Sequence, residues 1–420
     1  MKNRNTLLVC SLSLLLLCSC DKGTQLKVPA VLPESSGPFP VVAWHGVNAS
    51  YSSPERFRQA REMGITLNYT RAGSLSNACK LLEDASSSGI KLIIECDDLY
   101  KSSSRKDAVT TLMKYPSLEG YFCKDEPLGS EFDGIAAMMN DIRKTDPDHL
   151  CYCNLFPTGP QSFLQQLGYR TYEAYVADYL AKVPVNFLSF DCYPIVDVGN
   201  GNLAVKGEWY ENLEICAKRA ERAGIPLWAF MLTVAHYSYP EPTIDHLRLQ
   251  AYSDLAYGAQ VLQCFTYWTP DVDTGDLPPY RNAPIAVDGT KTATYDIVQQ
   301  MIAEINALAW IFNGAQRQYT AHLSGGGDIP QGTRGLSRMP DKLESINIAD
   351  GGAALVSVLK NRGYTFMVVQ NTSVNTSLEC TVNMKAGAYC VHKDGKVVPV
   401  SEEPATRSLT PGDVRLYMWI

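Results

Sequence analysis

Strand-like and helix-like segments alternate from residue 41 to residue 268, and this alternation restricts the chain to very few folds. Eight apolar runs have the composition of strands: Val41–Val47, Thr66–Arg71, Lys91–Cys96, Glu119–Lys124, Leu150–Phe156, Phe187–Tyr193, Leu227–Val234 and Val261–Trp268. Helix-like segments lie between them and often end at a glycine, which favours the left-handed conformation at a helix C-terminus. Eight such repeats predict a (β/α)8 barrel. A doubly wound open sheet is the alternative, but no strand is followed by a glycine-rich phosphate loop.

A second, smaller unit follows the predicted barrel. The helix-like segment Tyr295–Ile311 is expected to close the barrel, and the glycine-rich stretch Ser324–Pro330 has the composition of a linker. Five β-rich runs separated by turn residues come next, which predicts an all-β sandwich. The expected boundaries are residues 39–320 for the barrel and 335–420 for the sandwich. Cys380 and Cys390 lie on neighbouring runs, and the sequence leaves open whether they form a disulfide.

The N-terminus has the features of an export signal. Lys2 and Arg4 precede the apolar run Leu7–Leu17, which is too short to span a bilayer. The segment Leu17-Cys18-Ser19-Cys20 resembles a bacterial lipobox, which implies lipidation of Cys20; an ordinary signal peptide is the alternative. We therefore expect a signal peptide at 1–20, a polar tether at 21–38, and an exported protein that is lipid-anchored to the bacterial cell envelope on its periplasmic or surface side.

Charge and cysteine content exclude several functional classes. The formal net charge of −7 gives no electrostatic footprint for nucleic acid. The chain has 13 cysteines, but three precede residue 21 and most of the others lie inside strand-like runs, where cysteine usually packs as a small apolar residue. No CxxC pair or His/Cys cluster with zinc spacing occurs. We expect no metal and no organic cofactor.

The fourth strand ends in two adjacent acids, in the sequence Gly120-Tyr-Phe-Cys-Lys-Asp-Glu-Pro127. Pro127 cannot continue the strand, so Asp125 and Glu126 are placed at its C-terminal end. Two neighbouring carboxylates are costly in a core but suited to proton transfer in a cleft, and barrel enzymes carry their active sites at this end. A surface ion pair between Glu126 and Lys124 is the structural alternative.

The other strand ends are also polar or aromatic, and these side chains are expected to meet at one rim of the barrel. Asp191 ends the sixth strand and is a candidate catalytic carboxylate. The side chains predicted to bind substrate are His45, Asn68, Arg71, Tyr193, His236, Tyr267 and Trp268. Trp268 is interpreted as a platform for the apolar face of a sugar. Four of them have a structural alternative: His45 and His236 cap loops, Arg71 neutralises carboxylates, and Trp268 packs in the core.

The order of these motifs resembles the clan A glycoside hydrolases, which include family 42 β-galactosidases and family 5 enzymes. Asp125-Glu126-Pro127 stands where that clan commonly has Asn-Glu-Pro at the end of strand four, and the eighth strand, Phe265-Thr-Tyr-Trp268, is also similar. The likeness covers roughly residues 40–315. It implies a glycan substrate, cleavage of an O-glycosidic bond, and Glu126 as the general acid/base.

Two positions depart from the clan pattern. Asp125 replaces the asparagine, and the seventh strand, Leu227–Val234, contains no carboxylate where the clan has its nucleophile; Glu241 follows only later. One hypothesis is that Asp191, or Glu95 behind it, replaces the nucleophile. A second is a substrate-assisted hexosaminidase mechanism that uses the Asp125-Glu126 pair. A third is a lipid-anchored barrel that binds glycans without cleaving them.

Overall fold

The structure, a computed structural model, describes residues 37–420. The predicted signal peptide at 1–20, the candidate lipidation site Cys20 and residues 21–36 of the predicted tether lie outside the described residues. Between residues 37 and 420, no helix combines the length and apolar character required to cross a membrane.

The first part of the chain forms a closed barrel of eight parallel strands. The strands up to residue 265 are β1 (Val41–Trp44), β2 (Leu67–Gly73), β3 (Lys91–Cys96), β4 (Leu118–Asp125), β5 (Leu150–Leu155), β6 (Leu188–Phe190), β7 (Ile195–Asp197), β8 (Leu203–Val205), β9 (Leu227–Leu232) and β10 (Ala259–Phe265). Strands β1 to β6, β9 and β10 make the barrel, and β10 pairs with β1 to close it. The predicted (β/α)8 fold is confirmed. Strands β7 and β8 form a separate antiparallel hairpin after β6.

Helices surround the barrel and connect its strands. They are α1 (Pro54–Met63), α2 (Leu75–Ala85), α3 (Asp97–Tyr100), α4 (Ser102–Leu112), α5 (Phe132–Thr145), α6 (Gln161–Leu167), α7 (Tyr172–Lys182), α8 (Trp209–Ala223), α9 (Ile244–Ala256), α10 (Ala293–Ala307) and α11 (Ala309–Phe312). Serine or threonine caps several N-termini, as Ser53 does for α1, and Gly64 and Gly224 end α1 and α8 in the left-handed conformation.

The barrel strands bury side chains on both faces, as parallel strands covered by helices require. Outward-facing residues pack against the helices in one large apolar cluster. Inward-facing residues fill the barrel with a mostly aromatic core: Val42, Trp44, Tyr69, Ile93, Phe122, Tyr152, Phe187, Trp228, Phe230 and Val261. This packed interior supports the residues at the C-terminal rim.

Five of the barrel strands (β1, β5, β6, β9 and β10) end earlier than predicted, and the early ends of β6 and β10 move candidate site residues into loops. Strand β6 ends at Phe190 rather than Tyr193, so Asp191 and Tyr193 lie in the segment that leads to β7. Strand β10 ends at Phe265 rather than Trp268. The backbone N–H groups of Tyr267 and Trp268 still bond to the carbonyls of Trp44 and His45, at 2.9 Å each, which holds this segment against the end of β1.

The C-terminal unit is a β-sandwich, as predicted. Its strands are β11 (Gln316–Ser324), β12 (Leu343–Ile348), β13 (Ala353–Asn361), β14 (Tyr364–Asn371), β15 (Leu378–Met384), β16 (Tyr389–Val391), β17 (Val397–Pro399), β18 (Thr406–Leu409) and β19 (Val414–Trp419). A six-stranded sheet, β11-β13-β14-β19-β16-β17, faces a three-stranded sheet, β12-β15-β18. Residues 316–320 were assigned to the barrel from the sequence, but β11 pairs with β13 of the sandwich. Cys380 and Cys390 lie in different sheets as free thiols.

The sandwich packs directly on the barrel. Leu355, Leu359 and Phe366 of the larger sheet belong to the same apolar cluster as the barrel helices. Gln370 of β14 is fully buried between the two units. Its amide donates to the carbonyls of Arg248, Leu249 and Gly412, at 3.1 Å each, and accepts the hydroxyl of Ser253 at 2.8 Å.

We expect Gln370→Ala to reduce the free energy of unfolding by about 2–4 kcal/mol, because it leaves three buried carbonyls and a hydroxyl without this partner. Chemical denaturation measures the change. Gln318→Ala is the control, since Gln318 is exposed on β11 and contacts only a neighbouring carbonyl. Equal stability of the two variants would show that the Gln370 bonds do not hold the units together.

Candidate active site

A cavity of about 470 Å³ opens at the C-terminal end of the barrel. Four carboxyl groups line it, and three of them, those of Asp125, Glu126 and Asp191, lie at the ends of β4 and β6 near Asn154. The remaining lining residues are Trp44, His45, Pro157, Thr158, Cys192, Tyr193, Lys206, Glu208, Phe230, His236, Tyr237, Tyr239, Phe265 and Tyr280. We call this cavity the acidic cleft.

The turn after β4 presents Glu126 to the acidic cleft. Glu126 has a φ of 45°, a left-handed conformation that is uncommon outside glycine. Its backbone N–H donates to the carbonyl of Asn154 at 2.9 Å, and the carbonyl of Pro127 accepts the hydroxyl of Tyr175 at 2.7 Å. These bonds fix the turn on both sides of Glu126. Strain of this kind is retained where surrounding structure enforces it, often at functional sites.

Lys124 does not pair with Glu126. Its ammonium group lies 2.8 Å from a carboxylate oxygen of Glu131. Lys124 therefore forms its ion pair with Glu131, and the structural alternative for Glu126 does not hold.

Asn154 of β5 connects two of the three acids. Its side-chain amide donates to Asp125 at 3.1 Å and to Asp191 at 3.0 Å. Its side-chain carbonyl accepts the hydroxyl of Ser189 at 2.8 Å. Ser189 in turn accepts the amide of Gln263 at 2.9 Å. The orientation of Asn154 is thus set from inside the barrel.

The buried network continues to Tyr152, whose hydroxyl accepts the indole N–H of Trp44 at 3.0 Å and donates to Gln263 at 2.6 Å. Its hydroxyl also lies 3.0 Å from that of Ser189. All of these groups are buried, and satisfied networks of this kind rigidify a core. The position of the Asn154 amide therefore depends on four barrel strands.

The environment raises the pKa of each acid in the cluster. Asp125 is exposed to the open cleft, but the protein enclosing it removes enough water to raise its pKa to about 6, against the hydrogen bond from Asn154. Burial and the charge of Asp125 raise the pKa of Glu126 to about 7. Burial and the charges of Glu126 and Asp125 raise the pKa of Asp191 well above its usual range.

Glu126 and Asp191 act on each other's titration: the charge of Glu126 raises the pKa of Asp191, and Asp191 as a hydrogen-bond partner moderates the rise at Glu126. Two carboxyls in contact cannot both be ionised at low cost, so the pair retains a proton near neutral pH. The acidic cleft is consequently able to supply a proton to a bound molecule.

The walls of the acidic cleft are aromatic. The ring of His236 stacks on Tyr280 with centroids 4.4 Å apart, and Tyr193 stacks on Phe265 at 5.2 Å. Burial lowers the pKa of both His45 and His236 to about 4, so both rings are neutral at pH 7. Aromatic faces beside polar groups are suited to the mixed apolar and hydroxylated surface of a sugar.

Three of the predicted binding residues, His45, Tyr193 and His236, line the acidic cleft, whereas Asn68 and Tyr267 do not. Asn68 is fully buried, where its side chain accepts the N–H of Val47 at 2.8 Å and donates to Thr70 at 3.1 Å. Tyr267 is 1% exposed and packs in the large apolar cluster. The side chains of Asn68 and Tyr267 are therefore enclosed by the barrel rather than presented to a ligand.

Arg71 and Trp268 lie beside a second cavity of about 370 Å³, which meets the acidic cleft at His45. Arg71 is exposed and pairs with Glu95 at 3.5 Å and Asp97 at 3.3 Å. The ring of Trp268 is almost covered, at 3% exposure, and packs against Tyr51 with centroids 5.1 Å apart. Little of this ring is left to act as a platform.

The other candidate carboxylates are occupied elsewhere. Glu95 accepts the hydroxyls of Tyr69 at 2.5 Å and Tyr100 at 3.2 Å. Glu241 is half exposed, lies 3.5 Å from Arg281 and accepts the amide of Asn282 at 2.8 Å. Neither residue lines the acidic cleft. Asp191 is thus the acid that contacts Glu126.

Sequence reasoning did not identify Lys206, Glu208, Tyr239 and Tyr280 as lining residues. Lys206 and Glu208 lie between β8 and α8, Tyr239 between β9 and α9, and Tyr280 between β10 and α10, in connections whose paths the sequence pattern does not reveal. The tyrosine-rich run at residues 237–239 was the available signal, since aromatic residues in barrel loops favour a binding role. In residues 37–420, no group of three or more His, Cys, Asp or Glu side chains is arranged to hold a metal ion.

No protein-family model and no curated protein sequence matches this chain. Solved structures with some similarity include a β-galactosidase from the psychrophilic Marinomonas ef1, at 9% identity over 64% of this chain and 60% of that one, TM-score 0.46. A β-galactosidase from Halorubrum lacusprofundi is 12% identical over 64% of this chain and 58% of that one, with a TM-score of 0.44. Xylanase 10B from Thermotoga maritima is 11% identical over 63% of this chain and 94% of that one, with a TM-score of 0.39. The match spans about three fifths of both β-galactosidases. The barrel assignment rests on the strand pairing itself.

Glu126→Gln is expected to stabilise the protein at high pH and not at low pH. In the wild type, the Glu126 carboxyl is protonated in both the folded and the unfolded state below pH 4.5. Between pH 4.5 and about 7 the unfolded state loses this proton while the folded state keeps it. The free energy of unfolding of the wild type therefore falls over this range. We expect the variant to gain on the order of 1–2 kcal/mol over the wild type at pH 8, and little at pH 4.

Chemical denaturation at the two pH values measures this gain. Glu131→Gln is the control. The pKa of Glu131 is lowered, because the hydrogen bond from Lys124 outweighs the effect of its partial burial. That variant should lose stability at pH 8. A gain for Glu126→Gln that is the same at both pH values would contradict the raised pKa.

Proposed function

We propose that the protein is a glycoside hydrolase that cleaves O-glycosidic bonds of an oligo- or polysaccharide, with Glu126 as the general acid. The observation that carries this proposal is the contact between Glu126 and Asp191 beside Asp125, in an aromatic-walled cleft at the C-terminal end of a (β/α)8 barrel. Barrel enzymes place catalytic residues at this end. Paired carboxyls with raised pKa values are suited to acid catalysis near neutral pH.

In the proposed reaction the Glu126 carboxyl donates its proton to the glycosidic oxygen as the bond from that oxygen to the anomeric carbon breaks. The bonding electron pair leaves with the oxygen, and positive charge develops on the sugar ring. A pKa of about 7 keeps part of Glu126 protonated at neutral pH. Asp125 supplies a nearby carboxylate as that charge develops.

The arrangement of the acids bears on which group attacks the anomeric carbon. A retaining enzyme separates its two carboxyls by about 5–5.5 Å and an inverting enzyme by about 6.5–9.5 Å. Glu126 and Asp191 act directly on each other as neighbouring acids, and β9, where the clan has its nucleophile, consists of the apolar residues Leu227–Leu232. This contact supports the substrate-assisted route, in which the 2-acetamido oxygen of the substrate attacks and Asp125 orients the acetamido group.

Two rival readings are separated by experiment. Asp191 is the nucleophile if its carboxyl separates from Glu126 when substrate binds. The protein is a non-catalytic glycan-binding barrel if glycans bind without being cleaved.

The proposed location rests on the sequence. The apolar run Leu7–Leu17 and the lipobox-like segment that ends at Cys20 support an exported protein that is anchored by lipid to the bacterial cell envelope. An envelope glycan, or one that reaches the cell surface, would be accessible to it there.

Glu126→Gln is expected to lower the rate of sugar release by about 10²–10⁴-fold, because the amide has no proton to give to the leaving oxygen. Incubation of wild type and variant with a glycan panel, followed by chromatography of released sugars, measures this. The wild-type rate should fall as the pH rises above about 7, where Glu126 loses its proton. Glu241→Gln is the control: it removes an exposed carboxylate outside the acidic cleft and should leave the rate of sugar release unchanged.

Release that is unchanged in Glu126→Gln would remove Glu126 from the mechanism. Binding of panel glycans with no release by the wild type would identify a glycan-binding barrel.

A thiazoline analogue of a 2-acetamido sugar is expected to inhibit the wild type competitively, because it resembles the cyclic intermediate formed when the acetamido oxygen attacks. Steady-state inhibition measures this. Asp125→Asn should weaken the inhibition, whereas Asp191→Asn should not prevent it. Absence of inhibition, together with a covalent glycosyl adduct on Asp191 detected by mass spectrometry, would favour Asp191 as the nucleophile.

A further inference from the structure

Lys206 projects into the acidic cleft from the end of the β7–β8 hairpin. Its backbone N–H donates to the carbonyl of Pro194 at 2.8 Å, which holds this residue beside the segment containing Asp191 and Tyr193. Its side chain is half-buried and lines the cleft. A second backbone bond, from Asp197 to the carbonyl of Ser238 at 2.8 Å, ties the hairpin to the loop after β9.

The charge of Lys206 has no counter-ion within the described part of the chain. Its ammonium group donates to the hydroxyl of Tyr239 at 2.6 Å and lies 4.9 Å from the centre of that ring, but it forms no ion pair with a carboxylate of residues 37–420. Burial raises the pKa of Tyr239, so the phenol is neutral and does not compensate the charge. Lys124 and Lys393, by comparison, lie within 2.8 Å of carboxylates.

A second cation, Arg281, acts on the same wall of the cleft as Lys206. Besides burial, the charges of Lys206 and Arg281 lower the pKa of His236, so positive potential is concentrated on this wall of the cleft. Glu208 lines the same cleft, and its charge acts on Lys206 without forming an ion pair. Burial opposes the charge on Lys206, but the hydrogen bond to Tyr239 and the charge of Glu208 leave its pKa raised, so the ammonium group stays charged in the cleft and is able to bind an anion.

We propose that Lys206 binds an acidic substituent of the glycan, either the carboxylate of a uronic acid or a sulfate ester. This inference rests on the proposed function, because it assigns the substrate class of the same cleft. Lysine binds either group as a point charge, with its remaining N–H bonds directed to the anion oxygens. The neutral aromatic rings beside it would contact the sugar itself.

Binding is measured in the Glu126→Gln background, in which turnover is blocked, on a glycan array with three classes of probe. Chitin oligosaccharides are neutral, hyaluronan oligosaccharides carry carboxylates, and keratan sulfate oligosaccharides carry sulfate without uronic acid. We expect at least one acidic class to be retained about tenfold more tightly than the neutral class. The class retained distinguishes carboxylate from sulfate.

Lys206→Met, added to that background, is expected to abolish the preference for the acidic class, and Lys206→Arg to preserve it. Lys291→Met is the matched control: its ammonium group lies 3.7 Å from the ring centre of Tyr295, outside the cleft, so the variant removes the same charge and a similar ring contact. It should leave the preference unchanged.

Retention of neither acidic class above the neutral one, or a preference that survives Lys206→Met, would overturn the proposal. Its failure is distinguishable from failure of the proposed function. Wild-type protein that hydrolyses only neutral glycans refutes the role of Lys206 and supports hydrolysis. Acidic glycans that bind through Lys206 but are not cleaved support the role of Lys206 and refute hydrolysis.

Discussion

The side-chain amide of Asn154 donates to Asp125 and Asp191 from one nitrogen, and the rest of the site is arranged around this bridge. Without a shared donor, mutual repulsion would drive two neighbouring carboxylates apart. The donor is held in turn by Ser189, Gln263 and Tyr152, which come from different strands of the barrel. The closed barrel therefore fixes the distance between the acids, because a shift of one strand would break a bond in this network.

The arrangement also sets the protonation of the acids. Glu126 enters the cluster on a left-handed turn and contacts Asp191, so burial and like charge act on it together. The consequence is a proton retained near neutral pH by a pair of carboxyls on a cleft that is open to solvent. The aromatic rings and the Lys206 side chain beside them give the cleft an apolar surface and a positive charge. These properties match the polar and apolar parts of an acidic glycan.

Much of the fold was predictable because it depends on local patterns. Eight apolar runs alternating with helical segments predicted the barrel, and Pro127 placed Asp125 and Glu126 at the end of the fourth strand. The relation between Glu126 and Asp191 was not predictable, since it depends on the early end of β6 and on the orientation of Asn154.

Some residues that were predicted to face the cleft lie elsewhere in the structure for a similar reason. Asn68 ends up buried because its partner, the N–H of Val47, lies in a loop whose path no periodicity reveals. Lys206 and Tyr239 belong to two different loops that meet only in the folded chain. Strand patterns locate side chains along a strand, whereas the contacts between loops decide which of them face the cleft.

The retained proton on the Glu126–Asp191 pair is the central claim of this account, and NMR titration of the side-chain carboxyl carbons tests it most directly. Samples labelled with carbon-13 at glutamate and aspartate carboxyls, compared with Glu126→Gln to assign the resonance, give the pKa of Glu126 without any substrate. We predict a midpoint near 7 for Glu126, coupled to a change at the Asp191 resonance. A midpoint near the ordinary value of 4.5, with an independent titration of Asp191, would contradict the account.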